Sequence, residues 1–215
     1  MLNSARVPDP FYGTFELAEV IVRKHFADLQ MRPSSGTVHV GGERYVLLRA
    51  ESLYLAWFDA LISAFGEDAA MTFIYSTARE IGRNDAKSFA DKLGLTDGVA
   101  RLATGPLHFA HAGWAYVYIF DDSMPAKDDS YFLHYSHPNT FETEVLQSQK
   151  LRTTRCACLF SAGYSAGWCA EAFAVDVHSR EIRCIAKGDS VCEFVMAPQD
   201  NLDEHEARLK SPNAL

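Results

Sequence analysis

The first 155 residues contain no cysteine; all five, Cys156, Cys158, Cys169, Cys184 and Cys192, fall in the last 60 of the 215 residues. An odd number crowded at one end does not make a disulfide framework and suits metal ligation better. Positive charge is also scarce. Twenty Lys and Arg face 28 Asp and Glu, for a net charge of −8, and no basic run exceeds two residues. Such a surface repels nucleic acid, so no direct nucleic-acid partner is expected. No apolar run approaches the roughly 18 residues a membrane span requires, and no membrane partner is expected. The start, MLNSARVPDPFYG, lacks a hydrophobic signal core, which predicts a cytoplasmic location where disulfides are rare. Also missing are a G-x-S-x-G elbow, a P-loop, a dinucleotide fingerprint and paired carboxylates on an evident cleft. No catalytic role is therefore expected.

What is present is a globular composition, 48% apolar and 22% charged, with aromatics at 12%. That aromatic content is rich for a core with no bound ligand. The length suits one substantial domain. After Pro8 and Pro10, Phe15 to Leu29 reads as an amphipathic helix with Leu17, Val20, Ile21, His25 and Phe26 near helical spacing. Pro33 to Gly36 breaks it. TVHVGGERYVLL (37–48) predicts a hairpin turning at Gly41-Gly42. Ser52 to Phe65 and Asp68 to Leu93 read as helices, with a short helical stretch to about Ala103. Gly105-Pro106 then opens a strand from His108 to Phe120, pairing with Ser130 to His137.

Asn139 or Thr140 can cap a helix reaching about Lys150. Cys156 to Phe173 follows as a helix in which Gly163-x₃-Gly167 allows close approach of another element. Strands Ser179 to Ala186 and Val191 to Ala197 flank Lys187-Gly188-Asp189. Pro198 ends the sheet, and His205 in the acidic tail reads as a solvated side chain. The expected fold class is α+β: a single domain with an antiparallel sheet, helices packed on it and a zinc-bearing C-terminal hairpin.

A loop centred on Gly188 sets Cys184 opposite Cys192, with Cβ atoms about 4.5–5.5 Å apart. Glu181 would face the other side of a regular strand, so joint ligation needs a bulge between it and Cys184. Cys156, Cys158 and Cys169 all remain candidates for a further ligand. Three thiolates and a carboxylate suit zinc; the alternative from spacing alone is that these cysteines are small buried apolar side chains.

The segments GYSAGWCAEAF and REIRC-x₇-C-EFVMAP resemble the vinyl-reductase-type small-molecule-binding domain. GPLHFAHAGW and NTFETE are similar to the sensory domain of phenol- and xylene-responsive sigma-54 activators. The resemblance covers about 35–200. It implies a metal set of Cys158, Glu181, Cys184 and Cys192, holding a structural zinc.

It also implies an aromatic cavity, with Phe109, His111, Trp114, Phe132, Tyr135, His137, Tyr164 and Trp168 as its candidate lining. His111, His134 or His137 would supply polar groups. Relatives anchor phenol with a His and a Trp, at positions that here look like Phe109 and His137. Both differ in type, so the expectation is an aromatic site rather than a phenol site; His108, one residue away, could substitute after a register shift.

The implied function is a sensory module that binds a small aromatic or hydrophobic molecule and relays this to a regulatory partner or output domain. The alternatives are a role in tetrapyrrole metabolism and a purely structural adaptor. The N-terminal helical segment 1–34 is expected to support a homodimer with the 37–48 hairpin, ahead of the sensory domain at 35–200 and the tail at 201–215.

Overall fold

The computed structural model describes residues 1–211. A short strand, β1 (Ala5–Arg6), leads into α1 (Asp9–Ala27). Pro10 sits in the first turn, where its missing N–H costs nothing. The helix therefore starts six residues before the expected Phe15 and takes in Tyr12-Gly13-Thr14. Its buried stripe is Phe15, Ala18, Glu19, Val22 and His25. Leu17 and Val20, expected on the inner face, are 71% and 53% exposed.

Next comes a three-stranded sheet, β2 (Leu29–Arg32), β3 (Thr37–Val40) and β4 (Glu43–Tyr45). The β3–β4 turn is Gly41-Gly42, with φ of +56° and +86°, as a tight primed turn requires. β2 was not expected: the Pro33–Gly36 break is the turn between β2 and β3 rather than a plain helix end.

α2 (Ala50–Phe65) and α3 (Glu67–Leu93) follow the predicted spans within two residues. The main departure is next. Gly98–His111 is a helix, α4, and only Val117–Ile119 of the predicted long strand is extended, as β5. Asp97 caps α4 by accepting from Ala100 N at 2.8 Å. Pro106 lies inside it and removes one backbone donor. In the turn below, the Arg101 carbonyl accepts from Trp168 Nε1 at 3.0 Å and Thr104 Oγ1 at 2.7 Å. Burial of Leu102, Ala103, Leu107 and Phe109 at helical spacing outweighs the Gly-Pro break.

The remaining elements are β6 (Leu133–His137), α5 (Phe141–Ser148), α6 (Leu159–Phe173), β7 (Val177–Arg183), β8 (Cys192–Pro198) and α7 (Leu202–Lys210). Thr140 caps α5. The main sheet runs β1-β5-β6-β8-β7, antiparallel apart from the β1–β5 pair. Leu133, Tyr135, Phe194 and Met196 face the large core under α4 and α6. Phe132, Val195 and Ala197 face the other way, under α7 with Ile182, Leu202 and Leu209. The expected acidic tail is thus in part a docked helix. His205 is not merely solvated; its ring lies 4.4 Å from that of Phe132.

α6 crosses α3 almost backbone to backbone. A Cβ at Gly163 would meet the Tyr75 carbonyl, one at Gly167 the Arg79 carbonyl, and one at Gly82 the Tyr164 carbonyl. This is the close approach that the Gly163-x₃-Gly167 spacing allowed. The N-terminal segment joins the same core: Ala5, Phe15 and Val22 are buried with the residues of α4 and α6.

Candidate functional site

Between α4, α6 and the sheet is a cavity of about 30 Å³ with an almost wholly apolar lining. Leu102 and Phe109 come from α4, Tyr164 and Trp168 from α6, and Tyr135 and Met196 from β6 and β8. Gly105 of α4 admits the Trp168 indole; a Cβ there would collide with that ring.

The polar edges of the lining rings are already engaged. Tyr135 Oη pairs with Ser179 Oγ at 2.7 Å, Tyr164 Oη donates to Asp85 at 2.9 Å, and Trp168 donates to the Arg101 carbonyl. Burial pushes the Tyr164 phenol well above its ordinary range. Ring faces are what remain for a guest.

Of the eight residues expected to line a ligand site, four meet at this cavity: Phe109, Tyr135, Tyr164 and Trp168. Phe109 does so from a helix, not a strand. Trp114, in the loop after α4, sits one layer behind, 5.4 Å from Phe109 and 4.9 Å from Tyr164.

His111 is half-buried near the end of α4, where its Nδ1 pairs with the Leu107 carbonyl and its ring lies 5.3 Å from Phe26. Phe132 lies on the opposite face of the sheet, against α7. His134 shares that face, between Asp122 at 3.0 Å and Glu193 at 3.1 Å. Odd and even positions of a strand face opposite ways, so the parity of 132 and 134 against 133 and 135 carried this signal. His108 does not replace Phe109, because its ring nitrogens face Tyr164 and Tyr45.

His137 is fully buried next to Phe109 and Tyr135. Burial lowers its pKa to about 4, so the ring is neutral. Nδ1 lies 3.0 Å from the Tyr116 carbonyl and so carries the proton. Nε2, an acceptor, has no partner. Leu102, Ser165 and Met196 were missed as lining residues. The helical spacing of Leu102 and Phe109 was the signal for the first.

A second constellation lies where α6 begins. Cys158, Glu181, Cys184 and Cys192 each offer a ligand atom, all within 4.8 Å of one another. The β7–β8 ladder slips between Glu181 and Arg183. That irregularity brings Glu181 to the same side as Cys184, as joint ligation requires.

Cys158 Sγ is 3.5 Å from Cys192 Sγ. Glu181 Oε2 accepts from the Cys158 amide at 2.9 Å, and its buried Oε1 has no partner. Burial pushes the Glu181 carboxyl up to about 9 and raises the Cys158 thiol; at Cys192, contact with Cys158 lowers the thiol but contact with Cys184, aided by burial, raises it on balance. A buried carboxylate oxygen with no donor, beside three thiols, is a donor set that could hold a soft divalent cation. Cys169 lies three turns along α6 at the cavity. Cys156 is half-exposed outside the four.

Residues 26–121 match the family described as activator of aromatic catabolism. Over 93% of this chain and 98% of the other, the structure superposes with a TM-score of 0.75 and 19% identity on the phenol-responsive sensory domain of the transcription activator PoxR, crystallised with phenol. The chain shares that domain's fold. No curated protein matches the sequence. Among the described residues, no helix is long and apolar enough to cross a membrane.

Proposed function

We propose that the chain is a sensory module that takes a small, mostly apolar aromatic molecule into the α4–α6 cavity, with a structural zinc ion holding the adjacent end of α6. The observation that carries this reading is the aromatic lining of an interior cavity, in a fold shared with a domain that responds to phenol.

The chemistry of the lining narrows the ligand. With the Tyr135, Tyr164 and Trp168 edges occupied, ring faces and methyl groups do the recognising. The spare acceptor nearby is His137 Nε2, behind Phe109. A hydroxyl reaching it would add only about 1 kcal/mol, so discrimination between a phenol and a plain arene is modest.

About 30 Å³ holds roughly one water, whereas an engineered cavity of about 150 Å³ admits benzene. A ring must therefore displace part of the wall, and the flexible Met196 side chain is suited to yield. A cavity of this size gives no support to the tetrapyrrole alternative.

Zinc would be held by Cys158, Glu181, Cys184 and Cys192. Four protein ligands leave no open position, so it would contribute stability rather than reactivity. The vinyl-reductase-type likeness belongs to this C-terminal part, beyond the residues matched by the aromatic-catabolism family. Ligand occupancy would be read by a regulatory partner or an output domain, and the chain would act as a homodimer.

The test is a calorimetric and thermal-shift panel of toluene, phenol, biphenyl and a tetrapyrrole on the wild type and Phe109→His. The wild type should bind toluene at least as well as phenol. Phe109→His should move the preference several-fold toward phenol. Binding of no aromatic, or a preference untouched by the substitution, removes the assignment.

A further inference from the structure

Behind Tyr164, on the side away from the aromatic cavity, lies a second pocket of about 380 Å³, between β4, α3 and α4. Its lining includes Glu43, Arg44, Tyr45, Asp85, Phe89 and His108. The hydrogen bonds on its floor run in one direction. Tyr164 Oη donates to Asp85 Oδ2 at 2.9 Å, so its single proton is committed. His108 Nδ1, 3.2 Å from Tyr164 Oη, must then carry the imidazole proton, leaving Nε2 to accept from Tyr45 Oη at 3.4 Å. His108 is thus neutral and adds no positive charge to the pocket.

The chain ends on a carboxylate that lacks a counter-ion. Among the described residues no basic side chain pairs with Asp85, and the charge acting on it is the like-charged Glu43. Glu43 itself is served by Ser88 Oγ at 2.9 Å and Lys92 Nζ at 4.0 Å. The Arg44 guanidinium is drawn off to the Gly36 carbonyl at 2.8 Å. Alongside Glu43 and Arg44, the lining presents one partly buried carboxylate with no ion-pair partner, beside the Tyr45 and Phe89 rings.

We propose that this pocket is a second binding site, distinct from the aromatic cavity, for a small organic ammonium ion, with Asp85 as counter-ion and Tyr45 and Phe89 as aromatic walls. A cation held against ring π-systems gains attraction that a neutral molecule of the same shape does not. A hard metal ion is a poorer occupant, since it needs six or more oxygen ligands, and Asp85 belongs to no cluster of ligand atoms among the described residues. Tyr164, which lines the arene cavity, bonds through its hydroxyl to Asp85 and His108 of this pocket and so links the two sites.

The experiment titrates the full chain with tetramethylammonium and, in parallel, with neutral tert-butanol, following amide shifts by NMR. Tetramethylammonium should shift Tyr45, Ser88 and Phe89, and tert-butanol should not. Asp85→Asn should weaken the binding at least ten-fold. Ser88→Lys, which tethers an ammonium at the rim, should abolish it while the spectrum stays folded. Saturating phenol should leave tetramethylammonium affinity unchanged, so this result stands even if no arene binds. Equal affinity in Asp85→Asn, equal binding of tert-butanol, or displacement by phenol would overturn the proposal.

Discussion

His108 shows how burial sets the chemistry of a single side chain. It is 4% exposed, and desolvation lowers its pKa to about 3, from an ordinary 6.5. The folded ring is neutral, while the unfolded ring takes a proton below pH 6.5. A depressed pKa of this kind contributes stability above 6.5, which is lost progressively as the pH falls toward 3. By pH 5 the loss is about 2 kcal/mol. Denaturant titrations at about pH 8 and about pH 5 should therefore show the wild type losing about 2 kcal/mol more than His108→Gln; equal losses would contradict the burial argument. Residue-level pattern was legible where spacing was short. Gly188 with Cys184 and Cys192 predicted their juxtaposition, and Glu181 needed a bulge that the ladder contains. Phe132 falls outside the cavity because its strand parity is opposite to that of Tyr135.

Helices and strands were legible where one signal dominated. α3 runs from an acidic start to Gly94, and the β3–β4 hairpin turns on two glycines with positive φ. α4 was not legible, because Gly105-Pro106 reads locally as a break while long-range burial keeps the helix intact. β2 was missed because a four-residue exposed strand carries little pattern of its own. α6 joins the two candidate sites, since it follows directly on Cys158 and carries Tyr164 and Trp168. If zinc pins its first turn to the β7–β8 hairpin, Cys184→Ser or Cys192→Ser should lose the metal and at least about 3 kcal/mol of stability. Cys169→Ser, at the cavity end, should keep its metal. Elemental analysis with denaturant unfolding reads both, and freshly purified wild type without zinc would refute the assignment.

At the scale of the whole molecule, segments 1–34 and 37–48 leave apolar side chains in solvent: Leu17 and Val20 on α1, Met31 on β2, and Val46 to Leu48 after β4. These are the segments expected to support a homodimer. Light scattering at tens of micromolar should give about twice 23.9 kDa, and Leu17→Glu with Met31→Glu should give the monomer mass. A monomeric wild type would contradict that assembly. The charge of −8 and the absence of long apolar runs bounded the class of molecule from composition alone. The ligand's place was not readable, because the cavity forms only when α4, α6 and two strands converge. The most direct test of the account is a crystal structure of the chain grown with toluene. It should show the ring among Phe109, Tyr135, Tyr164 and Trp168, with Met196 displaced to make room. A ring bound elsewhere, or a cavity still closed at saturating toluene, would contradict the account.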